Sequence, residues 1–208
     1  MTPALPPILR ELERNGQRCG GPVLLAGFAM GYGLVTLSSS LGQSSRFALE
    51  LLVLVKLQLV GPALVSLLAM ALLLPHWLDR VESRGSKAWH HCLPAAALAG
   101  LMLMLMLFVA ALIGGVLASP RADLAQEFNE LLSGIQLSDL LRPLIRSGAF
   151  LAVLCGWSQW RGGNALQQKL PMALIVSNLL VEGLMLALLL KLIWVFSIDP
   201  PSLRSLAS

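Results

Sequence analysis

Charged residues are scarce in this sequence. They make up 12% of the chain, whereas 56% of its residues are hydrophobic. A soluble domain of this length would need far more polar surface, so the composition excludes an ordinary soluble globular protein. The net charge of +4 is modest. In a membrane protein a basic bias usually reports orientation rather than nucleic-acid binding, and we therefore expect no nucleic-acid partner.

Cysteine is sparse as well. Cys19, Cys92 and Cys155 are an odd number of thiols without ligand-like spacing, which favours free thiols packed as small hydrophobic side chains. His90-His91-Cys92 is the only cluster of metal-ligand residue types. Adjacent residues on a helix point about 100° apart, so this cluster makes a poor joint site. We expect no metal ion and no other cofactor.

Catalytic motifs are missing. The sequence contains no phosphate-cradling glycine loop, no nucleophile elbow and no HExxH pair, and we expect no enzymatic activity in this chain. A cleavable signal peptide is not evident either, because Glu11 and Glu13 lie among the first arginines and the first apolar run starts only near Gly20. We expect the first span to remain as a membrane anchor.

Long apolar runs dominate what is present. A helix needs about 20 apolar residues to cross a bilayer core of roughly 30 Å. The runs predict an all-α integral membrane protein with about five transmembrane helices, in a membrane domain over residues 20–197. The expected spans lie near residues 22–41, 59–75, 93–117, 143–160 and 170–196. Residues 198–208 form a polar tail.

The first 19 residues predict a short amphipathic helix in the membrane interface, with a frayed tail as the alternative. Its two faces would be Leu5, Ile8, Leu9 and Leu12 against Arg10, Glu11, Glu13 and Arg14. Residues 47–60 predict a second interfacial or partly embedded helix, which Pro62 would bend or restart. Residues 161–164 predict a turn, and the segment after Pro120 predicts an amphipathic surface helix.

Several residues inside the apolar runs are candidates for helix packing or for contact with a lipid. Gly27 and Gly31 form a small-xxx-small face that lets helices approach closely. Charges at membrane depth usually face protein, water or a head group, which singles out Glu50, Lys56 and Glu182. A purely structural role remains open for each of them.

The break between the second and third spans, residues 75–87, carries five charged residues in a helix-like pattern. With five spans the termini lie on opposite sides of the membrane. A cytoplasmic N-terminus places the larger group of cations inside, which the positive-inside rule favours. That group is Arg10, Arg14, Arg18, Arg80, Arg84, Lys87, Arg161 and Lys169. The charged break would then be cytoplasmic.

The order of these elements resembles the MlaE-like permeases, the membrane subunits of ABC lipid transporters that work with MCE-domain proteins. The resemblance extends from about Gly20 to Phe196. The matching segments are Gly61-Pro62-Ala63-Leu64, Leu78-Asp79-Arg80-Val81-Glu82-Ser83-Arg84-Gly85, the Gly114-Gly115 pair, residues 137–150 with Arg146 in a lysine position, Gly162-Gly163, and Glu182.

The resemblance implies an MlaE-like permease fold in a bacterial inner membrane, in preference to the plastid inner envelope. Its implied partners are an ABC ATPase subunit that hydrolyses ATP, an MCE-domain protein, a second permease subunit, identical or paralogous, and membrane lipid. Contacts with the ATPase would come from Leu78, Asp79, Val81, Glu82 and Gly85, for which a solvated loop is the alternative. Glu50, Lys56 and Glu182 would face a lipid cavity, and Gly27, Gly31, Gly114 and Gly115 would pack helices.

This chain also departs from the family. The stretch between Gly61-Pro62 and Leu78-Asp79 is shorter by roughly three helical turns, and residues 165–169 replace a Gly-Val-Gly stretch. A subunit shortened in this way either couples weakly to an ATPase or pairs with a more complete permease subunit. A non-transporting assembly or scaffold subunit and an unrelated five-span protein therefore stay open as alternatives.

Overall fold

The computed structural model describes residues 7–40, 46–84, 89–118, 137–168 and 171–197, and the regular structure within these ranges is entirely helical. The five described helices are α1 (Pro7–Ser40), α2 (Arg46–Arg84), α3 (Trp89–Ala118), α4 (Leu137–Gln167) and α5 (Met172–Ser197). The all-α class predicted from the sequence is confirmed for this part of the chain. The predicted surface helix after Pro120 and the polar tail lie outside the described residues.

Four of these helices contain segments long and apolar enough to cross a membrane, namely Ile8–Leu37, Val60–Ser83, His91–Ala118 and Met172–Trp194. They indicate a multi-pass membrane protein. The fifth predicted span, residues 143–160, lies within α4, whose described residues contain no such segment. α4 also buries polar side chains, namely those of Arg146, Ser147, Ser158 and Gln159.

The helices are more continuous than the sequence predicts. α1 runs without interruption through the expected boundary near residue 20 and through Pro22. α2 contains both Pro62 and Pro75, so most of the predicted charged break is helical and ends at Arg84. Ser66 Oγ donates to the Pro62 carbonyl oxygen at 2.6 Å, a bond to the preceding turn of the same helix. The turn predicted at residues 161–164 is also wrong, because α4 continues to Gln167.

Contacts between helices show that chain direction alternates along the bundle. Arg80 near the end of α2 bonds to Glu11 near the start of α1 and to Cys92 near the start of α3. Late in α4, Gly162 lies against Leu78 of α2, and Arg161 bonds to Glu182 of α5. The starts of α1, α3 and α5 therefore lie at the same end as the last turns of α2 and α4. We call this the Arg80 end.

The core of the bundle is built around α2, α3 and α4. α3 packs against both α1 and α4, while α2 packs mainly on α4. The largest fully buried side chains come mostly from these three helices, and they include Trp77, Leu78, Leu103, Leu107 and Leu154. Many side chains of α5 are exposed apolar groups, among them Val181, Met185 and Leu192, as expected for a surface that faces lipid or a partner.

Candidate functional site

The last turns of α2 hold the residues for which the sequence implies contact with an ATPase. Asp79 and Glu82 are exposed, whereas Leu78 is fully buried and Val81 is half-buried. A side chain without exposed surface does not touch a partner protein, so the expected role of Leu78 is corrected to packing inside the bundle. Gly85, the last residue of this set, lies outside the described residues.

The buried side of this segment rests on the glycine pair of α4. A Cβ atom added to Gly162 would lie less than 3.0 Å from Leu78 Cδ2, closer than real Cβ atoms approach a neighbour. A Cβ atom added to Gly163 would lie 3.4 Å from Val81 Cγ1. Glycine at residue 162 therefore allows α2 and α4 to pack closely at the Arg80 end. Gly162 and Gly163, which the sequence indicates as part of a turn, instead lie in a helix at its contact with α2.

A buried ion pair joins three helices beneath the same segment. Arg80 donates to Glu11, and its other terminal nitrogen lies 3.6 Å from Cys92 Sγ. Only 11% of the Arg80 side chain and 8% of the Glu11 side chain are exposed. Each of these buried charges depends on the other for neutralisation, because an unpaired buried charge strongly destabilises a fold. The junction thus connects α1, α2 and α3.

Polar contacts continue from this junction into α4. Cys155 Sγ lies 4.0 Å from the carbonyl oxygen of Cys92, and Gln159 Nε2 lies 3.5 Å from Cys155 Sγ. The described residues provide no hydrogen-bond partner for Gln159 Oε1, nor for Asn15 Oδ1 on α1. The three cysteines are free and buried. The prediction of free thiols packed in the interior is confirmed, whereas the polar contacts around them were not predicted.

The N-terminal helix presents a different face to the bundle from the one predicted. Glu11 was placed on its polar, solvated side, but it is buried together with Asn15 and Cys19, one and two turns later. Leu9, assigned to the apolar side, is 43% exposed. Because Glu11 pairs with Arg80, tertiary contact overrides the local amphipathic pattern. The i, i+4, i+8 spacing of these three residues was the available signal.

A second ion pair lies on the outer surface of α4 and α5. Arg161 Nε and Nη2 donate to the two carboxylate oxygens of Glu182 at 3.2 and 3.0 Å, and Trp157 Nε1 donates to Oε2 at 3.3 Å. The exposed fractions of the Arg161 and Glu182 side chains are 49% and 31%. Glu182, a sequence candidate for a lipid cavity, is thus held by two residues of α4. The side chains of Glu50 and Lys56, the other candidates, lie outside the described part.

The glycines singled out for helix packing lie where α1 and α3 run side by side in the same direction. Cβ atoms added to Gly27 and Gly31 would lie less than 3.0 Å from backbone atoms of Leu107 and Ala111, respectively. Gly114 has the same relationship to Phe28 across the crossing. The packing around Gly115 is less close, since a Cβ atom added there would lie 3.4 Å from Val35 Cγ2.

A comparable crossing between α3 and α4 was not predicted from the sequence. Ser147 Oγ donates to the Gly100 carbonyl oxygen at 3.0 Å in a buried position. A Cβ atom on either Gly100 or Gly148 would lie less than 3.0 Å from backbone atoms of the opposite helix. The neighbouring small residues Ser147 and Gly148, within a predicted span, were the signal that could have revealed it.

Within the described ranges, no group of three or more His, Cys, Asp or Glu side chains could hold a metal ion. The contacts described above are ion pairs, hydrogen bonds and close helix packing. Comparison of the chain with protein-family models, curated proteins and solved structures finds no match.

Proposed function

We propose that this chain is a permease-like subunit of an ABC transporter that moves phospholipid or a related lipid between the inner membrane and the cell envelope. A separate subunit would hydrolyse ATP. The observation that supports the proposal most directly is the contact of Leu78 and Val81 with Gly162 and Gly163. Both segments contribute to the resemblance to MlaE-like permeases, and they meet although about 80 residues separate them in the sequence.

The contact of Leu78 with Gly162 provides a route by which movement of a bound ATPase could be transmitted to the helices within the membrane. Asp79 and Glu82 are exposed at the end of α2 and offer two carboxylates to the ATPase. Leu78, the residue before Asp79, is buried and packs on Gly162. Because a protein interior is densely packed, displacement of one helix forces the side chains of the neighbouring helix to move as well. Movement of the α2 end would therefore displace α4.

The proposed location is a bacterial inner membrane, with the N-terminus and the Arg80 end in the cytoplasm. The alternating helix directions support this orientation, since Arg10, Arg14, Arg18, Arg80 and Arg161 all belong to the segments that meet at the Arg80 end. A cluster of cations at one end of a bundle is what the positive-inside rule requires. The remaining partners would be an MCE-domain protein, a second permease subunit and the lipid itself.

The test is co-purification of the full chain with an ABC ATPase from its native membranes. We expect the ATPase to be recovered with the wild type and lost with Asp79→Lys/Glu82→Lys, because like-charge contacts in an interface disfavour binding by several kcal/mol. Glu13→Lys is the control, since Glu13 is exposed at the same end on α1. Full retention of the ATPase by the double variant would disprove the contact. Absence of both ATPase and MCE-domain partners would favour an unrelated membrane protein.

A non-transporting scaffold subunit is the second candidate. The observation that favours it is the continuity of α2, which reaches Arg84 as one helix without a separate coupling helix in the described part of the chain. The shortened stretch before Leu78 points the same way. Reconstitution of the purified complex in vesicles separates the two functions. ATP-dependent movement of labelled phospholipid that persists without this chain would support the scaffold.

A further inference from the structure

The ion pair of Arg161 and Glu182 lies inside an apolar span. Glu182 follows the start of α5 at Met172 by ten residues, about 15 Å along the helix axis. That position belongs to the 23-residue apolar span Met172–Trp194. A half-exposed ion pair inside such a span is costly if hydrocarbon surrounds it, and charged groups there usually face protein, water or a functional ligand.

Exposed apolar side chains border the pair on both helices. Val181 and Met185 of α5 are 62% and 65% exposed, and Trp160 of α4 is 50% exposed. Trp160 also forms an edge-to-face pair with Trp157, whose indole nitrogen binds Glu182. Exposed tryptophan is typical of positions where lipid head groups meet hydrocarbon.

Two exposed asparagines lie between this position and the Arg80 end. Asn178 is exposed one turn before Glu182 on α5, and Asn164 is exposed one turn after Trp160 on α4. Both asparagines lie nearer the Arg80 end than the ion pair does. Their amides can bond to a polar group that enters from the membrane surface, which lowers the penalty for bringing a head group between the surface and Arg161.

Arg161 retains an unused hydrogen-bond donor after its contact with Glu182. Its Nε and Nη2 atoms serve the carboxylate, whereas Nη1 has no hydrogen-bond acceptor among the described residues. Glu182 accepts two hydrogen bonds from Arg161 and one from Trp157. The guanidinium is therefore fixed in position while its Nη1 atom is unused. Guanidinium donors match the oxygens of a phosphate group in geometry and charge.

We propose that the outer surface of α4 and α5 binds the phosphate of a phospholipid head group at Arg161, with Glu182 holding the guanidinium and Asn164 and Asn178 lining the approach. Charge complementarity identifies the occupant: the unused donor is cationic and the surrounding surface is apolar, which suits an anionic head group with acyl chains. The proposal deepens the proposed function and rests on it for the use of the lipid in transport. Binding itself can be measured without the ATPase.

The experiment is native mass spectrometry of the full chain in detergent, titrated with dioleoyl phosphatidylglycerol. We expect saturable binding by the wild type and about tenfold weaker binding by Arg161→Gln, because a charge-assisted hydrogen bond to phosphate is lost. Dioleoylglycerol, which lacks the phosphate, should bind no better to the wild type than to Arg161→Gln. Arg10→Gln is the control, since Arg10 is exposed on α1 at the same end, and its affinity should equal that of the wild type.

Glu182→Gln separates a binding role of Arg161 from a structural one. The amide keeps an acceptor for Arg161 and removes the competing negative charge, so phosphatidylglycerol should bind at least as tightly as to the wild type. If the pair only stabilises the fold, both variants lose affinity and thermal stability together, and that result would overturn the proposal.

Three other outcomes would also overturn it. They are equal binding of dioleoylglycerol, competition by inorganic phosphate as effective as that of the lipid, and conversion of a dimer into monomers by Arg161→Gln with lipid binding unchanged. The last outcome would assign the surface to a second copy of the chain. Because the ATPase contact is tested at Asp79 and Glu82, failure of the lipid site and failure of the proposed function give different results.

Discussion

Arg80 of α2 binds Glu11 of α1 across 69 residues of sequence, in a junction that leaves 11% and 8% of the two side chains exposed. This pair fixes the N-terminal turns of α1 to the end of α2, which carries the exposed residues Asp79 and Glu82. The same guanidinium reaches Cys92 on α3. The end of α2 that is proposed to contact an ATPase is therefore held in position by a buried polar contact among α1, α2 and α3.

Removal of Glu11 should be among the most destabilising single changes in the protein. Glu11→Ala leaves the Arg80 guanidinium buried without its anion, which typically lowers the free energy of unfolding by about 3–5 kcal/mol. The measurement is the midpoint of thermal unfolding in detergent, followed by tryptophan fluorescence. Glu13→Ala is the control, because Glu13 is exposed two residues later on the same helix.

The double variant Glu11→Leu/Arg80→Met tests the physical reason for that loss. It replaces the ion pair with apolar side chains of similar volume, a change that is often neutral or stabilising. We expect it to unfold at a higher temperature than Glu11→Ala. A Glu11→Ala midpoint equal to that of Glu13→Ala would contradict the buried pair.

Two glycines of α1 should respond in opposite ways to the same substitution. Gly31→Ala places a methyl group against the backbone of Ala111 and should lower the free energy of unfolding by about 1–3 kcal/mol. Gly33 has no atom within 4 Å of an added Cβ, so Gly33→Ala should be neutral or stabilise by up to about 1 kcal/mol through helix propensity. Thermal unfolding of both variants in one detergent gives the comparison. Equal losses would show that α1 and α3 do not cross at Gly31.

A double-mutant cycle on Gly162 and Leu78 measures the contact that supports the proposed function. Gly162→Ala should destabilise by about 1–3 kcal/mol because the new methyl group overlaps Leu78, and Leu78→Ala should cost about 2–5 kcal/mol as a core truncation. The double variant should lose less than the two single losses combined, since truncation of the leucine side chain vacates the volume that the methyl group at residue 162 needs.

The expected coupling energy is about 0.5–3 kcal/mol. Gly163→Ala provides the control, because its added Cβ atom would meet Val81 at an ordinary 3.4 Å. Strict additivity in the Gly162 and Leu78 cycle would rule out direct packing of α2 on α4 at this position.

Two buried serines of α4 differ in what their hydroxyl groups bind. Ser147 Oγ bonds to Gly100 of α3 at 3.0 Å, whereas Ser158 Oγ bonds to Leu154 of its own helix at 2.7 Å. Interhelical hydrogen bonds of this kind contribute about 0.6 kcal/mol on average and at most about 1.7 kcal/mol in a membrane protein. Ser147→Ala should lose such an amount, and Ser158→Ala should lose less because the Leu154 carbonyl keeps its backbone bond. The difference between their unfolding midpoints is the measurement.

Composition and periodicity were sufficient for the class of the protein and for the position of most apolar helices. Residues 93–117 and 170–196, predicted as spans, correspond to the long apolar segments of α3 and α5. Such runs are predictable because the apolarity needed to cross a bilayer is a property of consecutive residues. Gly27 and Gly31 could likewise be singled out from local spacing, although their neighbour α3 could not.

Helix ends and charged partners were less predictable, since both depend on residues distant in sequence. Pro75 and the glycines at residues 162 and 163 usually interrupt helices, yet α2 and α4 continue through them. Their neighbours in the bundle compensate, as when Leu78 fills the space beside Gly162. The sequence also assigned Glu11 to a solvated face, because nothing local reveals that Arg80 lies opposite it.

The amino-acid sequence alone establishes a helical, multi-pass membrane protein, since long apolar runs with few charges have no other stable arrangement in lipid. The tertiary structure decides which polar residues matter and what they do. It buries Glu11 against Arg80, turns Leu78 inward, and places Arg161 and Glu182 together on an apolar outer surface. These relationships arise from the packing of helices far apart in the chain, where burial and pairing of charges outweigh the preferences of any single helix.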